Sequence, residues 1–409
     1  MQEVAVVGIG MIRFGKYKDK GIKDLVRESV EAALKDAGLE KTDLKAAYMG
    51  NAAAGIMTGQ EMIRGQVALT AMGIEDIPVY NVENACASSS SALNIAWSHV
   101  AAGIHDCVLV AGYEKLYDAD KQKSFRALGT GVDIENFLTY FEMAEKASTT
   151  GEKIFQPGGG EKRSVFMDMY AFITKGYMAK YNLTQEHFAK LAVKSHANGA
   201  LNPHAQYQNP LTIEEVLTSG DVVYPLTRQM CAPIGDGSAA VILCSRKKAE
   251  KLGRKPVWIA GSVVGSGKIT FDTEDSLTHR LAPSVYAMAG VTPADIDVVE
   301  VHDATSPSEI IALIDLGLVP AASAAAWIDD GLLALDGKLP SNTSGGLTTK
   351  GHPVGATGCS QIVEIVTQLR EEAGARQAGR PKIGLAQNGG GIIGIDAAAM
   401  SLHILKLHP

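Results

Sequence analysis

Cys86 stands alone among small, uncharged residues in the stretch NACASSSSAL (84–93), just ahead of a segment with helical periodicity. A thiol at a helix start meets unpaired backbone N–H groups and the positive end of the helix dipole. That field lowers the thiol's pKa and favours the thiolate, which is the nucleophilic form. The flanking alanines and serines leave room for a substrate carbonyl and its tail. A packing cysteine in a small-residue helix contact would leave the same pattern. Cys107, Cys231, Cys244 and Cys359 lie in apolar or small-residue settings that suit packing. None of the five forms a CxxC pair, so neither a zinc ribbon nor another metal site is expected in this chain.

Two histidines can work with such a thiol. His352 lies in GHPVGATG (351–358), held between glycine and proline just before a helix, where an imidazole can take the thiol proton. His302, in EVHDAT (300–305), falls at the C-terminal end of a predicted strand, where open α/β sheets present their sites. A satisfied strand-end histidine is the alternative there. QNGGG (387–391) ends another strand in bare backbone, whose N–H groups can hold an oxyanion or simply turn the chain tightly. The early VVGIG (6–10) lacks the third glycine of a dinucleotide fingerprint, since position 13 is Arg13.

The elements that must position these residues occur twice. Segment 24–51 runs as a helical pattern, then Ala37-Gly38, then Asp43-Leu44 and a short strand. Segment 279–303 repeats that course with Ala289-Gly290, Asp295-Ile296 and a strand at 298–301, which pairs Asn51 with Asp303. After Cys86 come a helical run (91–101) and a strand (107–112); after His352 come a helical run (359–371) and a strand (382–388). Alternating strands and helices imply a mostly parallel sheet, and two copies imply two helix-covered halves. Residues 1–118 with 233–254 form the first half, 119–232 a loop domain over the site, and 255–409 the second half. Seven of the nine phenylalanines fall between Phe125 and Phe188, as the loop domain's own small core or as a wall for a bulky acyl group.

At 409 residues the chain is long enough for two or three domains. A net charge of −7 argues against nucleic acid or an anionic membrane as the main partner. MQEVAVVGIG carries no basic leader, and no apolar run reaches membrane-spanning length, so a cytoplasmic protein is expected.

Taken in chain order, the cysteine of NACAS, an HD followed by a small residue, GHPVGATG and the glycine run resemble the thiolase superfamily over essentially the whole chain. VEVHDAT (299–305), in place of an asparagine-containing NEA motif, is most similar to the sterol-carrier or lipid-transfer branch. The resemblance implies an α/β fold: a duplicated thiolase fold of five αβαβα layers with a loop-domain insertion. It also implies an acyltransferase that uses coenzyme A as co-substrate, with no bound cofactor, in at least a homodimer. By matched position Cys86 would be the acylated nucleophile, His352 its activator, and His302, helped by water, a donor to the thioester oxygen. The N–H groups of Cys86 and Gly390, with Asn388 beside them, would form a second oxyanion hole. Phe166, Met230, Cys231 and Ala232 would touch the acyl chain.

The chain departs from that family in one respect. The family's second cysteine, an acid/base, is replaced by Asn388 near the glycine run and by Ala304 after HD. Neither residue shuttles a proton, so His352 or His302 takes over, or the second half-reaction differs. Three readings follow. The first is a thiolase cleaving a 3-oxoacyl-CoA through a Cys86 acyl-enzyme, with the aromatic insertion pointing to a branched or aromatic substrate of aroyl-succinyl-CoA type. The second is a carbon–carbon bond-forming condensing enzyme or C-acyltransferase with a Cys-His-His site. The third is a thiolase-like subunit completed by a small zinc-ribbon/OB-fold partner.

Overall fold

The computed structural model describes residues 2–147, 153–155, 157–252, 255–272 and 275–408, so the expected boundary at 254–255 falls partly outside the described residues. The first half contributes strands β1 (Val4–Met11), β2 (Ala46–Gly50), β3 (Val79–Val82) and β4 (Cys107–Glu114). A small hairpin of β5 (Asp221–Val223) and β6 (Leu226–Thr227) lies in the insertion, and β7 (Gly237–Ser245) returns to the first half. The second half contributes β8 (Val257–Ser266), β9 (Val298–Glu300), β10 (Ile383–Ile393) and β11 (Asp396–Lys406). The strand order is β3-β2-β4-β7-β1 followed by β8-β11-β10-β9. Among the described residues the two runs pair where Ala5 and Val6 of β1 meet Trp258 and Val257 of β8.

The sheets are mixed, which corrects the mostly parallel expectation. β2 pairs in parallel with β3 and β4, and β9 with β10. β7 runs antiparallel to both β1 and β4, and β11 runs antiparallel to both β8 and β10. β11 follows β10 through a tight turn, which allows only antiparallel pairing. β7 holds the same place in its half, returning from the insertion at the site end.

Alternation along the strands builds the layers. In β1, Val4 and Val6 pack with the helices Ser88–Ala101 and Thr357–Leu369, whereas Ala5 and Val7 pack with the helix Ile22–Ala37. β4 and β7 divide in the same way, with Val108 and Val241 facing inward and Leu109 and Ile242 facing outward. In the second half Val298, Ala386 and Leu405 join the inner layer, while Val299, Leu385 and Leu402 pack outward against the helices Leu277–Ala289 and Ser306–Asp315. The helices Ser88–Ala101 and Thr357–Leu369 therefore lie between two sheets, each covered outside by its own helices. This is the five-layered αβαβα arrangement, and strands buried on both faces explain the unbroken apolar runs in the sequence.

The repeat ends its helices by one device. Gly38 (φ 66°) and Gly290 (φ 62°) both cap in the left-handed region, and the next residues, Leu39 and Val291, donate back to Leu34 and Tyr286. Gly8 and Gly10 serve helix packing. A Cβ on Gly10 would stand 2.2 Å from the Ser29 carbonyl, and one on Gly8 would stand 2.4 Å from that of Ala33.

The segment between β4 and β7 includes the helices Val165–Tyr181 and Gln185–Ala200. Tyr177, Phe188 and Leu191 from these helices share a core with Val299, Leu313 and Leu402, which anchors the insertion on the second half. Phe137, Phe141 and Phe155 pack ring to ring beside Ile392 and Ile395, as a small core at the β10–β11 turn. Among the described residues no helix is long and apolar enough to cross a membrane.

Candidate active site

The two halves meet through the starts of their inner helices. Gly358 presses so closely on Ser90 that a Cβ there would lie 2.5 Å from the Ser90 backbone nitrogen. The serines of NACASSSSAL are all buried and bonded. Ser88 Oγ donates to Ala85 O (2.6 Å), Ser89 Oγ accepts from Cys359 N (3.0 Å), and Ser91 Oγ accepts from Asn84 Nδ2 (2.9 Å). They do not leave room for substrate, as the sequence suggested; they let two helix starts approach.

This contact gathers the chemistry. Cys86 precedes the first helix, and Ala85 before it takes a left-handed φ of 48°. His352 leaves the chain at Gly351 (φ 110°), just before the second helix. His302 follows β9. Each of the three offers an atom within 4.8 Å of the others. The two imidazoles stand edge to face, with centroids 5.0 Å apart at 87°.

His352 has an assignable proton. Its Nδ1 lies 2.7 Å from Thr357 Oγ1, and that hydroxyl donates to Pro353 O at 3.2 Å. A hydroxyl has one proton to give, so it accepts from Nδ1–H, and Nε2 is left with a free lone pair. His302 is fixed from behind: its backbone N–H donates to Gln387 Oε1 (2.8 Å), and its Nδ1 lies 3.0 Å from Asn388 Nδ2.

The electrostatics overturn one expectation. Burial pushes the Cys86 thiol up to about 12, aided by the charge of Glu114 and opposed by the N–H groups of Gly391 and of Cys86 itself. Burial takes His302 down to about 4. Burial, with the charges of His302 and Lys350, takes His352 well below 6.5. The local N–H field expected at a helix start is present, but desolvation outweighs it. Burial therefore favours a neutral thiol beside a neutral imidazole over a preformed thiolate.

Glu114, which the sequence reading missed, ties the site together. Buried at the end of β4, its carboxylate accepts from Ala53 N (3.1 Å), Asn51 Nδ2 (3.0 Å) and Gly355 N (3.0 Å). It therefore clamps the His352 loop of one half to the first. Burial raises its pKa, and these backbone donors work against that rise. A glutamate closing the apolar strand CVLVAGYE was the available signal.

All three residues open onto one largely apolar cavity of about 480 Å³, lined also by Phe125, Leu128, Phe166, Tyr170 and Met400. Cys231, Ala232 and Gly390 lie on its wall. Met230 does not: it is fully buried in the core of the second half. Asn388 also lies outside the lining, with its side chain spent on His302 and Ser90, which corrects its assignment beside the oxyanion donors. Of the glycine run, the Gly391 N–H acts on the sulfur, and Gly390 packs so closely on the 84–87 turn that a Cβ there would lie 2.1 Å from Asn84 O. The aromatic stretch divides, Phe125 and Phe166 facing the cavity while Phe137, Phe141 and Phe155 pack among themselves.

The model of the thiolase N-terminal domain matches residues 4–223, and that of the thiolase C-terminal domain-like family matches residues 272–403. An acetyl-CoA acetyltransferase of Methanothermobacter thermautotrophicus is 37% identical over 97% of this chain and 98% of its own. A sterol carrier protein 2 of Gallus gallus is 33% identical over 96% of this chain and 71% of its own. Among solved structures, one described as an Ltp2-ChsH2(DUF35) aldolase covers 99% of this chain and 98% of its own, with a TM-score of 0.76 at 24% identity. Human mitochondrial 3-ketoacyl-CoA thiolase in complex with CoA covers 99% and 98%, with a TM-score of 0.68 at 18% identity.

Proposed function

The chain belongs to the thiolase family of acyltransferases, and on that premise we propose that it cleaves a 3-oxoacyl-CoA with coenzyme A through an acyl group carried on Cys86. The convergence of Cys86, His302 and His352 on one apolar cavity supports this reading.

Each step balances with a single base. The Cys86 proton moves to His352 Nε2 as the sulfur attacks the 3-oxo carbon. The bond between the 2- and 3-carbons breaks, and its electron pair passes into the thioester enolate, whose oxygen faces a donor on His302. His352 returns its proton to the 2-carbon, and the acyl-CoA made of the 1- and 2-carbons leaves while the rest of the chain stays on Cys86 as a thioester. Coenzyme A then gives its thiol proton to His352 and attacks the acyl-enzyme. The resulting oxyanion faces the N–H groups of Cys86 and Gly391, each worth about 3 kcal/mol of barrier. Collapse releases the new acyl-CoA, and Cys86 regains the proton. A second cysteine is unnecessary, because each half-reaction takes up one proton and gives one back.

A cavity of about 480 Å³ is generous for an acetyl group and supports a branched or aromatic acyl group between Phe125, Phe166 and Tyr170. The solved neighbour whose description names two components fits the view that a small partner protein completes the enzyme. A homodimer belongs to the same reading: β3 closes its sheet with no outer partner among the described residues, and Tyr80 on it is exposed. Carbon–carbon bond formation is the same chemistry reversed. Assaying purified enzyme for CoA-dependent cleavage of aryl and alkyl 3-oxoacyl-CoAs tests the proposal. Wild type should cleave and Cys86→Ala should not; a Cys86→Ala protein at the normal rate would end it.

A further inference from the structure

We propose that Asn388 is a positioning residue that sets the proton of His302, so that this imidazole presents Nε2–H to the cavity and keeps its lone pair on Nδ1. Asn388 is buried on β10 and does not reach the cavity. Its Nδ2 lies 3.0 Å from His302 Nδ1, and its Oδ1 lies 2.8 Å from Ser90 Oγ, closer than that hydroxyl's other acceptor, Ala87 O at 3.0 Å, which already accepts from Ser91 N. An amide nitrogen only donates, so His302 Nδ1 must accept. Burial keeps His302 neutral, so its single proton goes to Nε2.

The facing histidine supplies an independent argument. Thr357 leaves His352 Nε2 bare, and the imidazoles stand 5.0 Å apart edge to face. The ring atoms that the two histidines turn to the site lie within 4.8 Å of each other, so a bare nitrogen on His302 would place two lone pairs in one small space, whereas Nε2–H places a donor near an acceptor. Turning the Asn388 amide over would exchange the two nitrogens of His302, so the orientation of this amide decides whether the site has one base or two.

This inference rests on the proposed acyl-enzyme chemistry for its purpose. His302 would then stay a donor to the enolate oxygen and not compete with His352 for the thiol proton. The chain thus puts, at the place read as the family's second cysteine, a residue that moves no proton but orients one.

The test reads the resting enzyme and needs no substrate. In 15N-histidine-labelled protein, with His302 assigned by comparison with His302→Gln, Nδ1 should show an unprotonated imidazole shift and Nε2 a protonated one at neutral pH. The reverse pattern would overturn the proposal, whatever the reaction proves to be. Asn388→Leu should then mix the two forms of His302 and lower kcat by roughly 10–100-fold with KM nearly unchanged, as is usual for partners that orient an active imidazole. An Asn388→Leu protein with unaltered His302 shifts and unaltered kcat would also overturn it.

Discussion

His302 and His352 face one another at 5.0 Å with their rings at 87°, each held from behind by a different partner. Asn388 meets Nδ1 of the first and Thr357 meets Nδ1 of the second, an amide donor in one case and a hydroxyl acceptor in the other. On the proposed mechanism, equal residue types thereby take unequal tasks. His352→Ala should slow acylation of Cys86 by about 10²–10⁴-fold, the usual worth of a positioned general base. His302→Gln should leave alkylation of Cys86 by iodoacetamide at the wild-type rate while slowing cleavage by about 10²–10³-fold. Rapid-quench measurement of both steps separates the roles.

Thr357 holds the proton of His352 in place. Thr357→Val removes the acceptor for Nδ1–H and should lower kcat by roughly 10–100-fold, while Thr357→Ser should retain most of it. Thermal melting of both variants alongside wild type checks that the loss is not one of folding.

The pH dependence follows from burial. Cys86 is pushed up to about 12 and His352 well below 6.5, so the neutral pair spans the physiological range. The acid limb of kcat/KM should lie below pH 6.5, since His352 stays a free base until then. Iodoacetamide labelling of resting Cys86 should be slow at pH 7 and rise about tenfold per pH unit through pH 10, as expected below a thiol's pKa. A labelling rate already level below pH 8 would mean a preformed thiolate.

Glu114 joins the loop after β2 to the His352 loop through backbone donors on both sides. Glu114→Gln keeps the shape but turns an NH₂ group toward those donors. It should cost roughly 2–4 kcal/mol, since buried bonds to a charged group are lost and one donor faces another. Urea unfolding measures this directly.

What the sequence disclosed follows the range of the interactions involved. The glycine-then-aspartate signature of each repeat is local, and Gly38 and Gly290 cap alike. The places of Cys86 and His352 ahead of their helices were legible because each lies in a stretch of small residues before an apolar helical run. Glu114, Thr357 and Asn388 were not read correctly, because two of them act across the interface between the halves: Glu114 meets Gly355 241 positions away, and Asn388 meets Ser90 298 positions away. The antiparallel place of β7 was hidden for the same reason, since a long insertion separates it from both its neighbours. The pull of burial on the thiol was not legible, because a helix start can be read from neighbouring residues, whereas desolvation depends on what the rest of the chain lays over it.

The most direct measurement is an intact-protein mass spectrum after millisecond exposure to an aryl 3-oxoacyl-CoA without free coenzyme A. The account predicts one acyl group per chain, located by digestion on the peptide containing Cys86 and discharged when coenzyme A is added. No added mass on that peptide in enzyme that turns over once coenzyme A is supplied, or an adduct that coenzyme A leaves in place, would contradict it.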